Sequence, residues 1–432
     1  MFTDLTDTSI IKCDIKQDNI PYSQYAFSLY LFTNELYRKC IEDGVNNIFF
    51  LSREGQILKE LFDCYLHLEN NRSIKTHYFY TSRISSFVAS LKDIENESFE
   101  TLFRSYRNLS LFKFMENCGF QTQEIQPVLD SVDLDFNKVI VNIAESDELK
   151  SLKMNRAFLS AYERIRTKQN RYFLDYLKSF QVDIETEGLN IVDIGWKGTM
   201  QDNFYRILGD KIKITGYYLG LNEATEYNEF MKKKGILFSC VGKYSPYFDL
   251  FLYDFDFYER LLFADHGSVL RYSEEESGLV MPVLCNLEDD MESRRLIGPT
   301  QNEIIRLFPK IYQYFKVNNT KILDVTCEIA KIHLQTVLRY GEAEKALQNQ
   351  MKMHHSENFG TLGFFEKTGT DIVELIRNVM RFNRKERKLI FTVLLQLNIR
   401  YRDRVGISGI LVKCINMTYP SYDRQQKRLK GD

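Results

Sequence analysis

Two short segments of this 432-residue chain carry residue types suited to gripping phosphate. The first, Ser52-Arg53-Glu54-Gly55, follows the apolar run Ile48-Phe49-Phe50-Leu51 and precedes Gln56 to Leu66, where Ile57, Leu58, Leu61, Phe62 and Tyr65 recur at helical spacing. The second, Asp193-Ile194-Gly195-Trp196-Lys197-Gly198-Thr199, follows Leu189 to Val192 and opens a helix expected to run through Leu208. At a strand-to-helix junction, small residues let backbone amides approach an anion, and the helix dipole favours it. Lys197 adds a charge and Thr199 a hydroxyl. Asp193, emerging at its strand's end, suits vicinal ribose hydroxyls or a metal. A helix terminus supplies only about 0.3–1 kcal/mol to an exposed anion, against ~1.5–3 for each hydrogen bond to a charged group. Converging amides and cations would therefore provide most of the affinity.

Each segment also has a plainer reading. Ser52 can be an N-cap with Glu54 in the first turn and Arg53 on the surface, DIGWKGT a simple turn capped by Thr199, and Asp193 a strand-end cap. Neither segment has P-loop spacing or GxGxxG, which argues against nucleoside triphosphates and dinucleotides. Asp254, Asp256 and Glu259 in DLFLYDFDFYER, with His266 close behind, are candidates for a general base. The alternative is an amphipathic helix whose Phe251, Tyr253, Phe255 and Phe257 fill a core while the acids face water and His266 is a turn residue. On the long helix Ala157 to Leu177, Arg164, Arg166, Lys168 and Arg171 form either a solvated face or a cationic cover over bound phosphate. No histidine shows a metal-ligand pattern.

The elements that must position these residues alternate. Strands are expected at 48–51, 77–80, 139–143, 189–193, 212–219 and 235–238, with helices between, which predicts an α/β fold with a mainly parallel sheet under helical cover. This domain spans 1–285 with a helical insertion around 84–180. From 286 to 432 the pattern is mostly helical, in 303–315, 322–340, 371–382 and 386–397, and is read as a separate C-terminal domain.

Bulk properties narrow the function. A net charge of -2 provides no basic field for nucleic acid. The 8 cysteines lack CxxC spacing, favouring a reducing compartment without structural zinc. Aromatics make up 14% of the chain and are read mainly as core. The longest apolar stretch, Leu389 to Leu397, is too short to cross a bilayer, and MFTDLTDTS has no leader pattern, so a cytoplasmic protein is expected. Arg384, Lys385, Arg387 and Lys388 are either an ordinary polar helix face or a contact with anionic lipid at the inner face of the membrane.

Beyond these readings, IFFLSREGQILKEL resembles the pyrophosphate loop of type I phosphoribosyltransferases, and NIVDIGWKGTMQDNF is similar to their phosphoribosyl-diphosphate (PRPP) loop. Taken in order, FLSREG, YTSR, DIGWKGTMQ and ERLLFADHGSVLRY resemble the bacterial glycan phosphoribosyltransferases over roughly Tyr25 to Tyr272, and HSENFG at His355 to Gly360 extends the match. The resemblance implies transfer of a 5-phosphoribosyl group from PRPP, with Mg²⁺, to a hydroxyl of a lipid-linked glycan in capsule or O-antigen synthesis. A separate phosphatase would then remove the 5-phosphate. It also implies that Ser52, Arg53, Glu54 and Gly55 surround the diphosphate with help from Arg83, that Asp193 holds the ribose, and that Gly195, Lys197, Gly198 and Thr199 hold the 5-phosphate, with Trp196 and His266 also at the substrate. The pattern departs from the nucleotide-pathway enzymes: Ile194 stands where a second acid is usual, and the loop is shorter. Relatives often begin with a haloacid-dehalogenase-type phosphatase domain, and this chain begins about where that domain would end; Asp4 and Asp7 have no buried strand before them. Two other readings remain: a sugar-nucleotide-dependent glycosyltransferase, and a non-catalytic scaffold of polysaccharide assembly.

Overall fold

The computed structural model describes residues 20–221, 228–239, 258–285 and 288–317, with side chains from 295 onward in the last of these, and the backbone of 355–357 and 361–363. Asp4, Asp7, Asp254, Asp256, the 384–388 basic cluster and the helices expected from 322 onward lie outside the described residues.

In chain order the elements are α1 Tyr25–Asp43, β1 Asn47–Leu51, α2 Gly55–Leu68, β2 Lys75–Phe79, α3 Arg83–Ala89, α4 Glu100–Ser105, α5 Leu111–Asn117, α6 Thr122–Leu129, α7 Asp147–Met154, α8 Arg156–Lys178, α9 Ile184–Glu187, β3 Leu189–Trp196, α10 Thr199–Leu208, β4 Ile214–Leu221, β5 Met231–Ser239, β6 Val269–Glu274, β7 Val280–Leu284 and α11 Glu288–Val317. The first five strands form one parallel sheet in the order β2-β1-β3-β4-β5. The α/β fold read from the alternating pattern is therefore the fold the chain adopts.

The sheet is buried on both faces, which is why β1 reads as an unbroken apolar run. Successive side chains point to opposite sides. Ile48 and Phe50 join a core with α1, α2 and α11, while Phe49 and Leu51 join one with α8 and α10. Gly44 ends α1: at φ 68 its N–H reaches the carbonyls of Cys40 and Ile41, a conformation glycine adopts without a Cβ penalty. The helices between β2 and β3 enclose a third core, which includes Phe99, Phe114 and Phe158.

Several local expectations change. The strand expected at 139–143 is a lone bridge between Leu109 and Ile140, leading into a 3-10 turn at Ile143–Glu145, and Val139 and Val141 face solvent at 63% and 78% exposure. β5 starts at Met231 rather than 235, because its Lys232-Lys233-Lys234 run reads as surface. The antiparallel β6–β7 hairpin was not anticipated. The domain boundary expected at 285 falls just ahead of α11, whose Ile304, Phe308 and Phe315 belong to the same core as α1 and the sheet.

Phe308 is fully buried, with its ring centre 5.3 Å from that of Tyr30. Phe308→Ala should lower stability by ~3–5 kcal/mol in a single cooperative denaturant transition followed by Trp196 fluorescence. An unchanged midpoint would show that α11 contributes nothing to the sheet's unfolding unit.

Candidate active site

In the strand order, β1 leads outward to β2 at one edge, and the chain then returns to β3 and proceeds through β4 to β5 at the other. The direction reverses between β1 and β3, which pair directly, Phe49 opposite Ile191 and Phe50 opposite Val192. In open parallel sheets ligands bind beyond the carboxyl ends of strands at such a reversal. Both phosphate-suited segments begin there.

The first loop is built on Ser52. Its N–H donates to the Phe79 carbonyl at 3.0 Å, and its hydroxyl donates to the Thr81 carbonyl at 2.7 Å and accepts from the Thr81 N–H at 3.0 Å. Ser52 thus ties β1 to the end of β2 and is not the N-cap of α2; Glu54 occupies that position without a side-chain capping bond. The Ser52–Arg53 peptide is cis. Gly55 presses against the strand, so that an added Cβ would lie 3.0 Å from the Phe50 carbonyl carbon. The Arg53 guanidinium sits 4.3 Å from the centre of the Phe263 ring and 3.9 Å from the Glu54 carboxylate.

The second loop is tightly folded. Gly195, Trp196 and Gly198 have φ of 109°, 71° and 71°. For the non-glycine Trp196 this conformation costs on the order of 1–3 kcal/mol. Its indole N–H donates to Glu259 at 2.7 Å and its ring stacks on Phe238 at 6.2 Å, contacts that offset the cost. Gly198, not Thr199, is at the N-cap; Thr199 is the first helical residue, which corrects the cap reading. Lys197 is exposed.

Beneath this loop lies Lys233, a residue the sequence reading missed. It is 2% exposed, donates to the Lys197 carbonyl at 3.0 Å and pairs with Asp202 in the first turn of α10. Its neighbours Lys232 and Lys234 disguise it, and only the strand's alternation singles it out. Gln201 adds a second anchor: its amide donates to the Ile214 and Lys232 carbonyls at 3.1 and 3.0 Å, and its oxygen accepts from Tyr218 at 2.8 Å. The loop and helix start are thus fixed to β4 and β5 before any ligand arrives.

Asp193 does not sit at the strand's end, as expected, because β3 continues to Trp196. It is 6% exposed, and its Oδ1 accepts from the Ile194 N–H at 2.8 Å. Burial first and then Glu54 push its carboxyl up to about 8; the Ile194 N–H and Arg83 oppose this, and Glu259 adds to it. Residues from both loops, the start of α3 and the helical stretch 258–261 therefore share one electrostatic environment.

The segment 258–269 closes over the loops. Gln56 donates to Asp265 at 2.8 Å and accepts from its N–H at 3.0 Å. The Ser82 hydroxyl donates to the Val269 carbonyl at 2.5 Å. His266 Nδ1 is 2.9 Å from the Gly267 carbonyl, which only accepts, so the ring proton sits there and Nε2 accepts from Tyr78 at 2.6 Å. Tyr78 also lies 3.3 Å from the Arg53 carbonyl.

Ser52, Arg53, Glu54, Gly55, Arg83, Asp193, the 195–199 loop, Glu259 and His266 are thus gathered around the reversal point. The four cations of α8 are engaged elsewhere: Arg164 with Glu124 at 3.2 Å, Arg166 with Glu163 at 2.6 Å and Lys168 5.5 Å from the centre of the Tyr172 ring within the insertion, and Arg171 with Glu274 of β6 at 3.4 Å. The solvated-face reading fits them. Among the described residues no three His, Cys, Asp or Glu side chains converge as a metal cage. Positive charge placed near Asp193 and Glu54 would relieve the repulsion between them that helps to raise the Asp193 carboxyl. No helix of the described residues is long and apolar enough to cross a membrane.

No protein-family model matches the chain, and a search of curated proteins finds no matching relative.

The Asp193 carboxyl binds in the folded state a proton that the unfolded chain releases above 3.8, so its favourable contribution is full below that value and is lost as pH rises to about 8. The melting temperature of the wild type should therefore fall more than that of Asp193→Asn between about pH 5 and about pH 9, measured by circular dichroism. Parallel curves would show that the carboxyl is not held protonated.

Proposed function

We propose that this crevice binds PRPP and transfers its 5-phosphoribosyl group to a hydroxyl of a glycan acceptor, releasing pyrophosphate, in the synthesis of a bacterial capsule or O-antigen. The observation that carries the reading is the adjacency of two anion-suited loops on neighbouring parallel strands with a buried acid between them. A donor with a diphosphate at one end of a ribose and a phosphate at the other needs that spacing of charges. Arg53, Arg83 and the amides of the 52–55 loop serve the diphosphate, and Lys197, Thr199 and the amides of the 195–199 loop serve the 5-phosphate. Asp193 lies between them at the ribose hydroxyls.

Breaking the C1–O bond to diphosphate leaves positive charge on the ribosyl centre and negative charge on the leaving group. Fixed cations and amides around the diphosphate stabilise that charge without reorganising. Mg²⁺ arriving with the donor would add screening of the diphosphate charge. The acceptor hydroxyl forms the new bond to C1 and gives its proton to a carboxylate. Glu259, which faces the Trp196 indole and adds to the field at Asp193, is the base best placed among the described residues, a role worth about 10²–10⁴-fold. The product keeps its 5-phosphate, so a separate phosphatase completes the addition of ribose.

Lys197→Ala and Thr199→Val should each weaken PRPP binding by roughly 10- to 150-fold, the equivalent of ~1.5–3 kcal/mol per charge-assisted contact, while pyrophosphate affinity barely changes. Arg53→Ala should impair both ligands. Calorimetry with Mg²⁺, on variants shown to be folded by circular dichroism, checks this. Equal losses for the two ligands in the Lys197 and Thr199 variants would refute the assignment of the loops to opposite ends of the donor.

A further inference from the structure

Outside the crevice, a cavity of about 440 Å³ lies between the helical insertion and β6, inside the roughly 300–1,000 Å³ range of small-molecule sites. Its chemistry is divided. On one wall stands Asn117, 2% exposed, whose amide N–H donates to the Lys113 carbonyl at 2.7 Å; this fixes the amide's orientation and leaves a buried Oδ1 with no hydrogen-bond donor. Glu116 and Glu124 share the lining, held by Lys113 at 2.7 Å and Arg164 at 3.2 Å. Lys113, Arg164 and Lys168 line the same cavity, the first two paired with these carboxylates; the acceptor left over, the buried Asn117 Oδ1, calls for an O–H donor on the ligand. From the opposite element, half-buried Arg271 joins the lining and has no carboxylate within ion-pair distance among the described residues. That side selects an anion.

A polyhydroxylated ligand with a negative group is an acidic saccharide. The buried Asn117 acceptor, which a phosphate oxygen without a proton cannot satisfy, disfavours a polyphosphate, and the charged lining disfavours an apolar peptide. The walls are rigid: the Gln169 side-chain amide exchanges two hydrogen bonds with the Tyr272 backbone, each 3.0 Å, joining α8 to β6. The cavity also adjoins the crevice. Ile84 in its lining follows Arg83, and Arg271 lies two residues beyond Val269, whose carbonyl accepts the Ser82 hydroxyl.

We infer that this cavity binds a carboxylate-bearing sugar residue of the glycan acceptor. The role as acceptor site rests on the phosphoribosyl-transfer reading; the binding of an acidic saccharide does not. The test is calorimetric titration of the full chain with trigalacturonate and D-glucuronate as anionic probes and maltotriose as the neutral one, alongside Mg²⁺–PRPP. The wild type should bind an anionic probe at least about tenfold more tightly than maltotriose, and Arg271→Ala should lose about tenfold or more of that affinity while binding PRPP normally. Asn117→Leu, if folded by circular dichroism, should show a comparable loss. The site assignment is overturned if neither anionic probe binds, if maltotriose binds equally well, or if Arg271→Ala binds like the wild type. Arg271-dependent binding of an anionic probe without any PRPP binding supports the cavity and removes only the acceptor role.

Discussion

The structure depends on one topological constraint, the pairing of β1 with β3. The sequence between them makes β2 and the whole helical insertion, yet the two strands lie side by side and parallel, so the loops that follow them open at the same edge. A parallel pair needs a long crossover. Here the crossover also carries a third core and the wall of a second cavity. The insertion is pinned to the site's own helix α10 by the ion pair of Glu97 with Arg206 at 2.6 Å and by the Asn203–Ser86 hydrogen bond at 3.0 Å. Movement of the insertion would be felt at the 195–199 loop.

Charge placement around that edge is costly without a ligand. A lysine and an aspartate, Lys233 and Asp193, are both nearly excluded from water, and a Trp is held at positive φ. The first is compensated by Asp202 and the Lys197 carbonyl; the second accepts from the Ile194 N–H, and burial pushes its carboxyl up to about 8. Breaking a buried pair typically costs ~3–5 kcal/mol, so the Lys233–Asp202 contact holds the loop's shape more firmly than its exposed residues could. Both loops are thus held in shape by contacts that need no ligand.

Much of this was legible in the sequence, for identifiable reasons. Buried parallel strands leave unbroken apolar runs, so β1 and the start of β3 announced themselves, and polar residues directly after them marked the site. Three features were not legible. Asp193 looked like a strand terminus because its acid interrupts the apolar run, whereas the strand carries it buried, with its carboxyl pushed up to about 8. Lys233 hid within three consecutive lysines. The β6–β7 hairpin, with Glu274, Glu275 and Glu276 at its turn, has too short an alternating stretch to separate from loop. Arg271 gained meaning only when that hairpin was seen to face the insertion. Asp254 and Asp256 stay outside the described residues, while Glu259 of the same acidic run reaches Trp196.

The central claim, that the β1–β3 crevice is a phosphoribosyl donor site, is tested most directly by its own reporter. Trp196 is the chain's only tryptophan, and it lies in the loop assigned to the 5-phosphate. Its fluorescence should therefore change saturably when Mg²⁺–PRPP is titrated in, and should not respond to a panel of uridine and guanosine diphosphate sugars. A saturable response to a sugar nucleotide with none to PRPP, or no response to either together with no heat of binding, would contradict the account.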